Sequence, residues 1–285
     1  GVRLIRRIIY MKKTVQTYIL IILYLVVTNN QASAKIFDYY FKHITIENEL
    51  SQNTVLCILQ DKRGFMWFGT KDGLNRYDGN TIKVYKKIYD NASWHLYEHT
   101  DGKIWVGTDR GIYIYNPITD SFSHFDVISD SGRKINVPVL DIKADKKGNI
   151  WFAADRLYKY SAQQQKLYDM YTKNEDAHTW SIYIDNDDQV WLCMHGLGIR
   201  KYLNKNTNNF EDVVNSNLEE SFLKINFSQL TGFQNNYLVT GSINGGIGLL
   251  NKITGGISSI NSAGKDDLSH LFVRSIANID SEIWI

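Results

Sequence analysis

Eight polar side chains stand where this sequence could contact a ligand: Lys71, Asp72, Asp109, Arg110, Asp155, Arg156, His195 and Asn244. Carboxylates and guanidinium forks suit the hydroxyls of a sugar, and aromatic faces suit its ring. The competing reading makes them solvated turn residues. His195 stands out because it interrupts a repeated pattern, and an irregularity in an array is one way a site arises. Catalytic chemistry finds no comparable signal. The chain has no Gly-rich phosphate loop, no His-Glu-x-x-His, no paired-cysteine zinc spacing and no Gly-x-Ser-x-Gly elbow. Seven histidines are scattered along it, and lone ones such as His43, His99 and His270 read as surface or structural residues rather than metal ligands. Asp61, Asp101, Asp145 and Asp185 recur at turns, which accounts for them without catalysis. A glycosidase pair needs two carboxylates about 5–10 Å apart across a sugar, and nothing in the spacing nominates one. No catalytic residue, cofactor or metal is expected.

The elements that would position the eight residues are set by a repeat. Asp61-Lys-Arg-Gly64-Phe-Met-Trp67-Phe-Gly69-Thr70-Lys-Asp-Gly73-Leu74-Asn-Arg-Tyr77 is followed by Asp101-Gly102-Lys-Ile-Trp105-Val-Gly107-Thr108-Asp-Arg-Gly111-Ile112-Tyr-Ile-Tyr115. A third copy runs from Asp145 through Trp151 to Tyr160, and a fourth from Asp185 through Trp191 to Tyr202. A fifth keeps Gly241 but has Leu238 in place of tryptophan, and a sixth reaches Trp284-Ile285. The anchors Trp67, Trp105, Trp151, Trp191, Leu238 and Trp284 are 38, 46, 40, 47 and 46 residues apart, the length of a four-stranded propeller blade. The first unit supplies four strand-sized runs, at residues 54–60, 65–69, 74–77 and 81–85, and helical periodicity is weak throughout. The expected fold is all-β: a β-propeller of antiparallel four-stranded blades, about five and a half of them, over residues 35–285. The candidate residues then fall mainly on the loops between second and third strands, which gather at one end of a propeller.

Turn chemistry agrees. Asp61 to Gly64 and Asp145 to Gly148 place Asp first and Gly fourth, as a type I turn prefers. Gly73 and Gly111 allow a left-handed residue before the third strand. The anchor tryptophans offer flat area for packing on the next blade, and Gly69 and Gly107 are expected to leave room for them.

Composition narrows the function classes. The chain is 44% hydrophobic and 13% aromatic, enough for a sizeable core. Its net charge of +2 is misleading, because residues 1–34 hold five basic residues and no acid; the rest has 27 basic against 30 acidic residues, or −3. Without a clustered basic patch, nucleic-acid binding is not expected. Cys57 and Cys193 lie in apolar runs of different repeats and read as small buried hydrophobes. Residues 1–34 read as an upstream stretch plus a secretory signal peptide: Met11-Lys12-Lys13, the apolar run Tyr18 to Val27, then Ala32-Ser33-Ala34. Met11 is the expected start, Ala34 the expected cleavage point and the periplasm the expected location. The apolar run is shorter than the roughly 20 residues of a membrane span.

The string Asp-x-x-Gly-x-Ile/Met-Trp-Phe/Val-Gly-Thr-x-x-Gly-Leu/Ile-x-x-Tyr at residues 61–77, repeated with a shorter turn at 101–115, resembles the two-component regulator propeller repeat. So does the opening Phe41-Lys-His-Ile44 through Leu50-Ser-Gln-Asn-Thr-Val55. The resemblance implies the exported sensor part of a hybrid two-component histidine kinase, itself catalysing nothing. The implied signal is a mono- or oligosaccharide, and the implied parent is a homodimer anchored in the inner membrane, with further domains of the same polypeptide after this segment. Because the motif is broken after Ile285, the sequence reads as a truncated propeller. The alternatives are an exported propeller enzyme acting on polysaccharide and a protein-binding scaffold.

Overall fold

Alternating apolar and polar residues, cut every few positions by Asp- or Gly-bearing turns, produce short strands that pair with their sequence neighbours. The computed structural model describes residues 43–85, 88, 91–170, 178–203, 210–213, 227–243, 246–259, 272–279 and 282–285. The predicted signal peptide lies outside the described residues. Ile44–Ile285 is one compact unit. Its first sheet is β1 (Val55–Gln60), β2 (Met66–Thr70), β3 (Gly73–Tyr77) and β4 (Ile82–Tyr85). The second is β5 (Ser93–Glu98), β6 (Ile104–Thr108), β7 (Gly111–Asn116) and β8 (Ser121–His124). The third is β9 (Asp141–Ala144), β10 (Asn149–Ala153), β11 (Leu157–Ser161) and β12 (Lys166–Asp169). The fourth is β13 (Thr179–Ile184), β14 (Val190–Met194), β15 (Gly198–Tyr202) and β16 (Phe210–Asp212). The fifth is β17 (Phe227–Phe233), β18 (Tyr237–Ser242), β19 (Ile247–Asn251) and β20 (Ile257–Ser259), and a sixth sheet holds β21 (Ala277–Ile279) and β22 (Glu282–Trp284).

Every four-stranded sheet is an antiparallel meander in chain order, and the first strands of successive sheets neighbour one another. This is the all-β propeller of the sequence reading, with five complete blades and a two-stranded sixth sheet. A 3-10 turn spans Ile46–Asn48 ahead of the first blade.

Between first and second strands, the turn aspartate does more than shape the turn. Asp61 accepts the backbone N–H of Arg63 and of Phe65, each at 3.0 Å, and the Trp67 indole N–H at 3.0 Å. Asp145 holds Trp151 and Asp185 holds Trp191 at the same 3.0 Å. Burial alone would raise the Asp61 carboxyl, but the Trp67 and Arg63 hydrogen bonds outweigh it and hold the group below the usual carboxylate range. In the second blade the sequence alignment needs correction. The backbone bonds that Asp61 makes to Phe65 and Gly64 are made there by His99, to Lys103 and Gly102. Asp101 sits two residues later, bonded to His99 and Lys103.

Blades meet through aromatic side chains. Tyr115 packs edge-on to Trp67 of the preceding blade with centroids 4.8 Å apart, Tyr160 lies 6.1 Å from Trp105, and Tyr202 lies 5.4 Å from Trp151. The tryptophan near the start of one motif's second strand is thus covered by the tyrosine that ends the next motif. Separate apolar clusters fill each blade boundary, and Leu238, fully buried beside Trp191, occupies the anchor place in the fifth blade. Gly69 and Gly107 serve a different purpose from the expected one. A Cβ on Gly69 would stand 2.6 Å from the Ser93 carbonyl oxygen, and one on Gly107 would stand 2.5 Å from that of Val139. The space is taken by the next blade's incoming chain and, at Gly69, also by the Cys57 Sγ of its own blade, not by tryptophan.

Candidate functional site

The mouth of the propeller is the end where first strands begin and where second strands turn into third. Thr70 and Thr108 tie these turns, each hydroxyl donating to the carbonyl of Gly73 or Gly111 at 3.1 and 3.0 Å. Beside them, first strands carry a bulge: the pairing skips one residue between Val55 and Cys57, Ser93 and His95, Thr179 and Ser181, and Phe227 and Gln229. The skipped residues are Leu56, Trp94, Trp180 and Ser228. A bulge re-aims a side chain out of the ladder, a device common at barrel rims and active sites.

Two of these residues are tryptophans that no blade boundary uses as an anchor. Trp94 donates its indole N–H to Asp109 at 2.6 Å, while the other oxygen of Asp109 accepts the Ala92 N–H at 3.2 Å. Trp180 lies face to face with His195, centroids 5.2 Å apart and planes 28° apart. Neither belongs to the repeated motif, although each precedes its blade's anchor by eleven residues, as Leu56 and Leu140 do in blades that lack an aromatic there.

The seven described candidates all lie at this mouth, but their availability differs. Lys71 and Arg110 are exposed, and Asp72 is half-buried in its turn. Asp109 is the fixed partner of Trp94, and His195, exposed, is the partner of Trp180. Asp155 accepts the Tyr158 hydroxyl at 3.3 Å. Arg156 is buried and ion-paired to Asp169 at 2.9 Å, which makes it a structural residue of the third blade. Asn244 lies outside the described residues. The loop between the second and third blades supplies the company of that pair: Ser131 donates to Asp169 at 3.0 Å, and Arg133 stands 3.9 Å from it.

Behind the bulges, Cys57, His95, Asp141, Ser181 and Gln229 share one register, each opposite the residue at the Gly69 position of its own blade. Asp141 joins three blades there. It accepts Ser181 Oγ at 3.1 Å and the Ile182 N–H at 2.8 Å, with Lys143 Nζ at 3.3 Å and His95 Nε2 at 3.4 Å from its second oxygen. Burial would raise the Asp141 carboxyl, but Lys143, His95 and the Ile182 N–H keep it low and ionised. Burial drives His95 down to about 4, against the pull of Asp141, so its ring is neutral at pH 7. Both cysteines are free and buried to the degree that desolvation raises them, Cys57 to about 12. No group of three or more His, Cys, Asp or Glu side chains among the described residues is placed to hold a metal.

Comparison with known proteins places these features. The two-component regulator propeller family matches residues 49–72 and 90–110. Histidine kinase P4 of Formosa agariphila is 43% identical over 56 residues, covering 20% of this chain and 4% of that protein. Among solved structures, the extracellular domain of a one component system from B. thetaiotaomicron superposes with a TM-score of 0.64 at 21% identity, over 79% of this chain and 29% of that one. An extracellular domain of a hybrid two component system from the same organism gives 0.55 at 19%, over 86% and 38%. A streptogramin B lyase gives 0.58 at 19%, over 76% and 71%. At these identities the structural likenesses establish the propeller fold.

Proposed function

We propose, for a chain built of two-component regulator propeller repeats, that it is the extracytoplasmic ligand-sensing propeller of a membrane signalling protein and that its ligand is a carbohydrate held at the mouth. The Trp180–His195 stack carries this reading. Propeller packing uses tryptophan at the blade boundaries, whereas Trp180 sits at a bulge on the mouth, where a flat apolar ring suits the C–H face of a pyranose. Trp94, its N–H fixed by Asp109, supplies a second ring held in place before any ligand arrives. Lys71, Asp72 and Arg110 offer donors and acceptors for hydroxyls. In this account the segment binds and does not catalyse, and the parent, a dimer held across the inner membrane, converts binding into kinase output. Screening the full chain against a glycan panel tests the reading; the expected result is saturable binding of at least one saccharide, and a panel without a single binder would end it.

A further inference from the structure

The two mouth tryptophans belong to the second and fourth blades, and one buried carboxylate of the third lies between the chains that carry them. Trp94 is followed by His95, Trp180 by Ser181, and Leu140, which holds the corresponding place in the third blade, by Asp141. The strand pairing skips Trp94 and Trp180 and resumes at His95 and Ser181. Asp141 meets both of those residues. Its Oδ2 accepts Ser181 Oγ at 3.1 Å and the Ile182 N–H at 2.8 Å, and its Oδ1 faces His95 Nε2 at 3.4 Å. Each ring is therefore one residue away from a contact on the same side chain.

The propeller does not itself require a carboxylate at this depth. The same register holds Cys57 in the first blade and Gln229 in the fifth. Taking an ionised group out of water is costly unless it is paired and hydrogen-bonded. Asp141 is buried, and its Oδ1 makes no aligned hydrogen bond among the described residues: Lys143 Nζ at 3.3 Å and His95 offset its charge without completing its geometry. A buried polar atom in this condition calls for a role beyond packing. What the carboxylate joins is the pair of segments that present the rings. Asp109 fixes the Trp94 indole at 2.6 Å and His195 lies on Trp180, but each of these braces acts inside one blade. Asp141 acts across three.

We propose that Asp141 is the positioning residue of the mouth: acting through His95 and Ser181, it holds Trp94 and Trp180 as one preformed surface for a saccharide. A surface set before binding spares the ligand the cost of ordering it. The purpose of this device rests on the carbohydrate reading of the mouth, whereas the coupling of the two rings is testable without any sugar.

The test is fluorine NMR of the full chain labelled with fluorotryptophan, each resonance assigned by a Trp→Phe replacement. Ser181→Ala removes a donor beside Trp180, and the expected result is a shift of the Trp94 resonance, two blades away, with the fully buried Trp67 unmoved. Asp141→Ala should displace both mouth resonances. Asp141→Asn keeps an oxygen for Ser181 and Ile182 but loses the charge that faces His95, so Trp180 should return to its wild-type position and Trp94 should not. Matched melting curves show which variants fold, and Ser181→Ala and Asp141→Asn decide the matter if Asp141→Ala does not. A Trp94 resonance unmoved in both of these overturns the proposal, as does a Trp67 shift as large as those at the mouth. The same variants are titrated with maltohexaose, cellohexaose and an oligogalacturonate. Any of these that binds wild type should bind Asp141→Ala at least about tenfold more weakly. Displaced rings with unchanged affinity, or with none of the three bound, tell against the sugar site and leave Asp141 its positioning role; unmoved rings overturn that role whatever binds.

Discussion

The indole nitrogen of Trp151 donates to the carboxylate of Asp145, six residues earlier, at 3.0 Å, and the same bond joins Trp67 to Asp61 and Trp191 to Asp185. One carboxylate thus closes a turn and fixes the ring that the next blade packs on. Replacing Asp61 by Ala leaves the Trp67 N–H and two backbone N–H groups without their acceptor. The expected loss is about 3 kcal/mol, from a per-group cost of roughly 1–3 kcal/mol, read by chemical denaturation. A loss of only a few tenths would mean that the bond is incidental.

Two glycines of the repeat should respond differently to alanine. Gly107→Ala drives a methyl to 2.5 Å from a backbone oxygen of the following blade, an overpacking worth about 2–3 kcal/mol. Gly148, at φ 77° with nothing within 4 Å of an added Cβ, should cost only about 1 kcal/mol through its left-handed backbone. Unfolding midpoints of the pair decide this, and the reverse order would contradict the close approach of blades.

Stability should fall with acid before the carboxylates titrate. His95 in the folded chain lies at about 4, below its ordinary 6.5, so between those values the unfolded state binds more protons and stability rises with pH. Lowering the pH from 7 toward 4 is therefore expected to lower the denaturation midpoint, with the loss complete below about 4. Depressed Asp61 and Asp185 add a further loss below the ordinary carboxylate range. His95→Gln should flatten the stability profile between 6.5 and 4, and a variant with the wild-type slope would assign that slope to other groups.

The sequence made the blades legible because the repeat is local: Asp, Gly, Trp, Gly-Thr and Tyr each act within one hairpin or between adjacent blades, so their spacing reports the fold directly. First-blade strands expected at 54–60, 65–69, 74–77 and 81–85 are found within a residue or so of those limits. What spacing concealed was register. His99 takes the place of an aspartate because the second turn closes on its backbone, and Gly69 turns out to face the neighbouring chain, which no single repeat shows. Trp94 and Trp180 were hidden for the same reason, since only the pairing of first strands reveals the bulge that sets them apart from the anchors. Arg156 looked available in sequence because its partner, Asp169, belongs to another strand of the blade.

The most direct test of the account is calorimetric titration of the full chain and of Trp180→Ala with whichever saccharide binds wild type best. If that ring is the sugar platform, affinity should drop roughly thirtyfold, the equivalent of about 2 kcal/mol for a central aromatic contact, with the melting temperature little changed. Wild-type affinity in a folded Trp180→Ala variant would contradict a carbohydrate site at the propeller mouth.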